Sequence, residues 1–243
     1  VEIRDDRVDY VTINTVIDKI NPLLNTKWDQ QEPYNNLFPY QNDSNSMREY
    51  AGCGTIAVAQ VLNYLTYPAN ITINGHDHDW SIISCFTYDS NITNPYYINC
   101  ISRFIYDLAI EMNAEYVDGS TLVPVSESVS LFREVGYSNV DFETLTSTKA
   151  YNMIQHNKPF YTYGLDTESN RAHAWVIDGW KEIRTVEKEV ISRNNLILSE
   201  RIIDEYTTQY AHCNFGWGGF CDGYYTFTNF NTTYCRPDDM IES

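Results

Sequence analysis

Residues 52–65 of the chain read Gly52-Cys53-Gly54-Thr55-Ile56-Ala57-Val58-Ala59-Gln60-Val61-Leu62-Asn63-Tyr64-Leu65. Apolar side chains recur in this stretch at helical spacing, which predicts a helix, and Pro68 ends it. The helix begins with a cysteine between two glycines. The free N–H groups and the positive dipole end of a helix N-terminus stabilise a thiolate, the nucleophilic form of cysteine. On these residues alone, a buried cysteine at a tight turn is an equally good interpretation.

The rest of the chain predicts helices first and strands afterwards. Further helices are expected over 97–112, 126–135 and from 147 to just before Pro159. Beyond residue 160 the sequence is rich in Tyr, Val, Ile and Thr, which favours strands. We expect six of them, over 160–165, 172–180, 183–191, 195–204, 206–215 and 224–230, with a turn at 193–195 that makes a long hairpin. This order predicts an α+β fold in one domain spanning 1–243, with a mainly helical lobe over about 1–158 and a mainly β lobe over about 159–243.

Composition narrows the class of protein. The 243 residues include 16 Lys and Arg against 33 Asp and Glu, a formal net charge of −17, which disfavours binding to nucleic acid or to an anionic membrane surface. No apolar run approaches the length of a membrane span. The charged start of the chain lacks both an initiator Met and an apolar signal. We therefore expect a processed or trimmed chain, with any targeting signal lying upstream.

The number and spacing of cysteines and histidines predict no metal site. Six cysteines in 243 residues are too dilute for a disulfide scaffold, although some could pair. His76-Asp77-His78-Asp79 is the only metal-like cluster, and a solvated polar turn is the more frequent structure for such a segment. We expect neither a metal nor another cofactor.

Two later segments complement the cysteine. The first reads Arg171-Ala172-His173-Ala174-Trp175-Val176-Ile177-Asp178-Gly179. A strand histidine among small and apolar residues is more often a core residue, but an activated thiol needs an imidazole as proton acceptor and donor. The second reads His212-Cys213-Asn214-Phe215-Gly216-Trp217-Gly218-Gly219. Asn214 could hold the imidazole in one tautomer while aromatic neighbours exclude water. Asp178 and a backbone carbonyl are the alternative orienting groups.

The order Cys53, His173, Asn214 is that of papain-like peptidases. Trp28-Asp29-Gln30 precedes the cysteine, at a place where a side-chain amide could stabilise a tetrahedral oxyanion. Together with the segments above, the sequence resembles the streptopain family of bacterial cysteine peptidases. The matching segments extend from Trp28 to about Tyr225 and comprise 28–35, 52–53, 57–64, 67–68, 172–179, 214–219 and 222–224.

The resemblance implies a papain-like, two-lobed fold and a secreted or cell-surface endopeptidase made as a zymogen, whose propeptide is removed and acts as an inhibitor. It makes Cys53 the nucleophile, His173 the base, Gln30 the oxyanion-hole amide and Asn214 the orienting residue. The tryptophan wall beside the catalytic histidine corresponds to Trp217. Substrate-binding or shielding positions next to these residues are Gly52, Ala172 and Phe215.

Three positions depart from the family pattern and affect the expected pocket shape. Ala172 replaces a glycine before the histidine, Gly54 replaces a larger residue after the cysteine, and Phe215 replaces a tryptophan. None removes a catalytic atom. The sequence therefore predicts a cysteine endopeptidase acting on proteins and peptides. The alternatives are a transglutaminase-like acyltransferase and a non-catalytic peptide-binding module on the same scaffold.

Overall fold

The computed structural model describes residues 6–41, 47–87, 92–117, 120–138, 140–166 and 171–227. In these residues the helices are α1 Cys53–Leu65, α2 Trp80–Ile83, α3 Pro95–Glu111, α4 Val125–Glu134 and α5 Ser147–Gln155. The strands are β1 Arg7–Ile20, β2 Ile71–Ile73, β3 His76–His78, β4 Glu115–Val117, β5 Ser120–Leu122, β6 Phe160–Asp166, β7 Arg171–Arg193, β8 Leu196–Asn214 and β9 Gly223–Thr226. The α+β prediction is confirmed, and each of the four predicted helices is present. The last predicted strand extends in part beyond the described residues.

The main sheet is antiparallel and built around two long strands. Its order is β1-β7-β8-β9, and β6 pairs with the first part of β7. Asn194 and Asn195 join β7 to β8, both with positive φ, as a two-residue hairpin of this twist requires. The predicted hairpin is therefore present, but its strands are continuous. The break expected at 181–182 is wrong, because both residues pair with β8 within one strand. The break expected near residue 205 is instead a shift of register opposite 187 and 188.

The N-terminal strand β1 was not predicted. It pairs antiparallel with the second part of β7, from Ile20 opposite Trp180 to Arg7 opposite Ser192. Most of its residues are exposed. Because neither face of β1 is deeply buried, its apolar residues do not form the clean inside–outside alternation that identifies most strands. Its content of Val, Ile, Thr and Tyr was the available signal.

Helix α1 lies at the centre of the molecule. Residues 54–63 are all buried, and apolar α1 side chains join those of α3 and Trp28 in the larger core cluster. A second cluster packs α5 against the sheet around Trp175, Trp180 and Phe215. Because buried polar groups need partners, Gln60 and Asn63 within the buried part of α1 must form hydrogen bonds.

The segment 76–79 forms ordered structure. His76 and His78 lie in the β2–β3 hairpin, both within 3.3 Å of Asp107 in α3, and Asp79 caps α2 by accepting a hydrogen bond from the Ser81 backbone. The expectation of a solvated turn is thus wrong for His78, whose side chain is only 4% exposed. Among the described residues, no group of three or more ligating side chains is arranged to hold a metal. In the same part of the chain, no helix is long and apolar enough to cross a membrane.

Candidate active site

Cys53 is the first residue of α1, and its thiol lies against the sheet. The backbone N–H of Ala174 in β7 donates to Cys53 Sγ at 3.4 Å. Burial raises the pKa of the Cys53 thiol, while the N–H groups of Ala174, Gly54 and Cys53 lower it. Burial has the larger effect, so in this structure it outweighs the preference of a helix N-terminus for the thiolate.

His173 precedes the residue that contacts the sulfur, and its ring is buried. Its Nε2 lies 3.1 Å from the carbonyl oxygen of Phe215. Since a carbonyl only accepts, Nε2 carries the hydrogen of the neutral ring and Nδ1 keeps a free lone pair. Burial lowers the pKa of His173 to about 4, and the Phe215 carbonyl acts in the opposite direction. Above that pH the imidazole is neutral and able to accept a proton.

Asn214 contacts other groups than His173. Its Oδ1 accepts from the side chain of Gln60 at 3.0 Å and from the backbone N–H of Gly216 at 3.1 Å, and its Nδ2 donates to the carbonyl of Thr26 at 2.9 Å. The direct contact between Asn214 and His173 expected from the sequence is therefore absent, and His173 instead donates to the backbone carbonyl of Phe215. The physical reason is that both ends of the buried amide are occupied by α1, the N-terminal segment and the turn after β8.

Asn214 is nonetheless linked to the histidine through one peptide unit. The Phe215–Gly216 peptide presents its N–H to Asn214 and its C=O to His173. Holding one end of a planar, rigid unit fixes the direction of the other end. The structure thus brings Asn214 next to the peptide whose carbonyl contacts His173.

Trp217 covers the histidine. The two ring centroids are 4.5 Å apart, and Trp217 also stacks on Phe215, with centroids 5.4 Å apart. Phe215 is 4% exposed. The indole therefore lies beside the residues that form the contact between His173 and the Phe215 carbonyl.

Gln30 is close to the cysteine in the fold. Its carbonyl accepts from the N–H of Ala51 at 2.8 Å, two residues before Cys53. The side chain of Asp29 accepts from the backbone N–H groups of Gln30 and Gln31, which shapes this turn. The turn is also bound to the loop carrying Trp217, because Gly218 N–H donates to the carbonyl of Trp28 at 3.1 Å.

Small residues surround the cysteine for steric reasons. Gly52 caps α1 with a φ of 88°, and a Cβ there would meet Thr121 at 3.0 Å. A Cβ on Gly54 would meet the side chain of Val123 at 3.2 Å, so a larger residue there would require Val123 to shift. Ala172 is exposed at the rim, next to His173.

Asp178, the alternative orienting group, has a different partner. Its carboxylate lies 2.6 Å from Nδ1 of His212 and accepts from the backbone N–H of Leu24 at 3.1 Å. Gly179 opposite His212 follows a shift of register in β7 at Asp178. Asp178 is therefore engaged away from His173.

Comparison with known families agrees with this geometry. The sequence model of the Peptidase C10 family matches residues 28–225. The chain belongs to this family. The match spans the segments that contain Gln30, Cys53, His173 and Asn214, and it confirms the resemblance to streptopain. Membership places the chain among the cysteine-type peptidases. No curated protein matches the chain significantly.

Solved structures related to the family share the fold. A fragment of prointerpain A from Prevotella intermedia, carrying a Cys-to-Ala substitution, superposes with a TM-score of 0.62 at 21% identity, covering 86% of this chain and 65% of that one. The chain thus spans less than two thirds of that precursor fragment. Active wild-type interpain A, a cysteine protease of the same organism, gives a TM-score of 0.55 at 19% identity and 86% coverage of both chains. At this identity the comparison shows the papain-like α+β fold.

Two site residues escaped the sequence analysis. Gln60 is fully buried, with Oε1 accepting from the Thr26 hydroxyl at 2.7 Å and Nε2 donating to Asn214. A glutamine within the apolar run of α1 was the signal for it. Asp222 accepts from the backbone N–H of Phe215 at 3.0 Å. Its signal was an acidic residue just after the glycine-rich turn.

Proposed function

We propose that this peptidase is an endopeptidase that cleaves proteins through a thioester on Cys53. The proposal is carried by two contacts. Cys53 Sγ accepts a hydrogen bond from the backbone of β7 at Ala174, and the preceding residue, His173, has a buried imidazole whose Nε2 contacts a backbone carbonyl. This leaves Nδ1 as the group that receives the thiol proton. The comparisons support the reaction class, and the residue roles are our assignment.

The proposed reaction has two steps. Cys53 Sγ attacks the carbonyl carbon of the scissile peptide bond while His173 takes the thiol proton, and the C–N bond breaks as His173 protonates the leaving amine. Water then attacks the thioester with His173 as base, releasing the acid and the thiol. The backbone N–H of Cys53 and the side chain of Gln30 stabilise the oxyanion.

Burial shapes the proton transfer. It raises the pKa of Cys53 and lowers that of His173, so both shifts favour the neutral thiol and the neutral imidazole over an ion pair. Attack then requires the proton to move to His173 as the S–C bond forms. Activity should fall as the pH approaches about 4, where His173 becomes protonated.

Thiol-dependent cleavage of an unfolded protein tests the proposal. We expect Cys53→Ala to abolish hydrolysis and His173→Ala to reduce it by about 10²- to 10⁴-fold, with folding retained in both. Cys85→Ala is the matched control, because Cys85 is a free, exposed cysteine. A peptidyl epoxide should label Cys53, as mapped by mass spectrometry. Hydrolysis by Cys53→Ala, or labelling at Cys85 or Cys213, would overturn the assignment.

The same assay separates the alternatives. A transglutaminase-like enzyme would release the amine but join the acyl group to an added primary amine, without forming free acid. A peptide-binding module would bind the peptide without turnover. Free carboxyl and amino termini at internal positions of the substrate support an endopeptidase.

Secretion and activation belong to the same proposal. The family resemblance and the prointerpain A relative support synthesis with an upstream signal and an inhibitory propeptide. Expression of the full reading frame, with N-terminal sequencing of material from the medium, tests both points. Retention of all the product inside the cell, or full activity of the unprocessed protein, would contradict them.

A further inference from the structure

Asp222 lies in the turn between β8 and β9, directly before β9. Its Oδ1 accepts from the backbone N–H of Phe215 at 3.0 Å. With Asp178, His212 and Lys27 it lines a pocket of about 530 Å³, and Asn214 forms part of the same wall. The carboxylate is thus one residue away from the histidine's hydrogen bond.

Three hydrogen-bond contacts hold the backbone around the Phe215 carbonyl. Asp222 accepts from its N–H, His173 contacts its C=O, and Asn214 accepts from the following N–H of Gly216. The backbone rotations at Phe215 are the only soft degrees of freedom between these contacts. Asn214 holds this peptide from the Gly216 side, so loss of the Asp222 contact would leave it held from one side only and would let the carbonyl shift relative to His173.

We propose that Asp222 is a positioning residue for catalysis, which holds the Phe215 carbonyl in line with Nε2 of His173. The inference rests on the proposed role of His173 as the base. Asp222 touches neither substrate nor thiol. Its effect is on the fraction of time that the imidazole spends with Nδ1 aimed at the reacting proton.

The surroundings of Asp222 make this positioning depend on pH. Burial raises the pKa of its carboxyl to about 6, the Phe215 N–H, His212 and Lys27 lower it, and Asp178 raises it. These charged and titratable groups come from the N-terminal segment, β7 and β8. An ionised carboxylate is the stronger acceptor for the Phe215 N–H. The hydrogen bond from the Phe215 N–H to Asp222 is therefore strongest above about pH 6 and weakens as the carboxyl is protonated.

Steady-state kinetics of Asp222→Ala and Asp222→Asn test the inference. Because misplacement of a catalytic group by about 1 Å can cost about 10²-fold, we expect Asp222→Ala to lower kcat by up to that factor with KM unchanged. Asp222→Asn keeps an acceptor oxygen and should recover part of the loss. The ratio of wild-type to Asp222→Asn kcat should be largest above pH 6 and approach one near pH 4.5. Asp141→Asn is the control, since Asp141 is an exposed carboxylate paired with Arg133.

The outcomes separate this inference from the proposed function. If the wild type shows no turnover that depends on Cys53 and His173, the proposed function fails. If that turnover is present but Asp222→Ala has the kcat of Asp141→Asn, only the positioning role fails. A change in KM with kcat unaltered would also overturn the positioning role. So would a ratio of wild-type to Asp222→Asn kcat that does not vary with pH. If Asp222→Ala does not fold, as judged by circular dichroism, the pH profile of Asp222→Asn decides.

Discussion

The side chain of Gln60 donates a 3.0 Å hydrogen bond to Oδ1 of Asn214, and both residues are buried. Gln60 lies two turns into the helix that starts at Cys53. Asn214 is the last residue of β8, directly before Phe215, whose carbonyl accepts from His173. The Thr26 hydroxyl completes the link by donating to Gln60. The helix of the nucleophile and the peptide that orients the base are therefore joined by one buried polar network.

Replacing Gln60 by Leu should reduce catalysis more than folding. The change leaves the Thr26 hydroxyl without its acceptor, which costs about 1–3 kcal/mol of unfolding free energy, and frees Asn214 to move. We expect kcat to fall and KM to stay constant. Asn63→Leu is the matched control, because this buried amide lies on the same helix and accepts from Ser84, a residue outside the network. Equal losses of kcat in the two variants, measured beside their melting temperatures, would argue against the network.

Gly52 should tolerate a side chain less well than Gly75. Both residues have positive φ, +88° and +75°, so Ala at either position is strained. Only at Gly52 does the added Cβ meet Thr121, whereas nothing lies within 4 Å of the Cβ position at Gly75. Thermal unfolding should show a larger loss for Gly52→Ala, accompanied by lower activity. A similar melting temperature for both variants would mean that Thr121 moves aside without cost.

The secondary-structure elements that the sequence predicted well are those whose buried face gives a clear pattern of apolar residues. Helix α1 begins within one residue of its expected start, because a buried helix shows its apolar residues and its glycine cap directly. Strand β1 was missed because its side chains are mostly exposed and its register is set by β7, about 170 residues away. Strand pairing over such distances leaves little trace in local pattern.

The site was predicted at the level of residues but not of contacts. From chain order we expected Cys53, His173 and Asn214 to share a site, and the structure places them near one another, while their roles stay a prediction. Which oxygen reaches Nε2 depends on the partners of Asn214, and these come from Thr26 and Gln60 in other parts of the fold. Once a buried amide is saturated by such neighbours, the adjacent backbone carbonyl becomes the available acceptor.

Trp217 should protect the base rather than bind it. Its ring covers His173 at 4.5 Å, so Trp217→Ala admits water to the hydrogen bond with the Phe215 carbonyl. We expect kcat to fall, by less than in His173→Ala, and Trp217→Phe to recover part of it. Phe220→Ala is the control, since Phe220 lies in the same turn and is 71% exposed. Wild-type kcat in Trp217→Ala would show that the indole has no shielding role.

Asp222 and His173 have opposite effects on the pH dependence of stability. Folding lowers the pKa of His173 from 6.5 to about 4, so its contribution to stability is complete above 6.5 and is lost as the pH falls towards 4. Folding raises the pKa of Asp222 from 3.8 to about 6. Between these values the folded state binds more protons than the unfolded state, so stability falls as the pH rises through this window.

Asp222→Asn should therefore become more stable relative to the wild type as the pH rises. The amide cannot ionise, so the cost of burying a carboxylate disappears, while an oxygen remains to accept from the Phe215 N–H. We expect the difference in melting temperature between variant and wild type to grow from about pH 4 to pH 6 and to stay constant above. Asp141→Asn, an exposed change, should show no comparable trend. Calorimetry across this range checks the prediction, and a difference independent of pH would show that Asp222 is ionised throughout. A variant that gains stability above pH 6 while losing kcat would show that the carboxylate is retained for catalysis at the expense of stability.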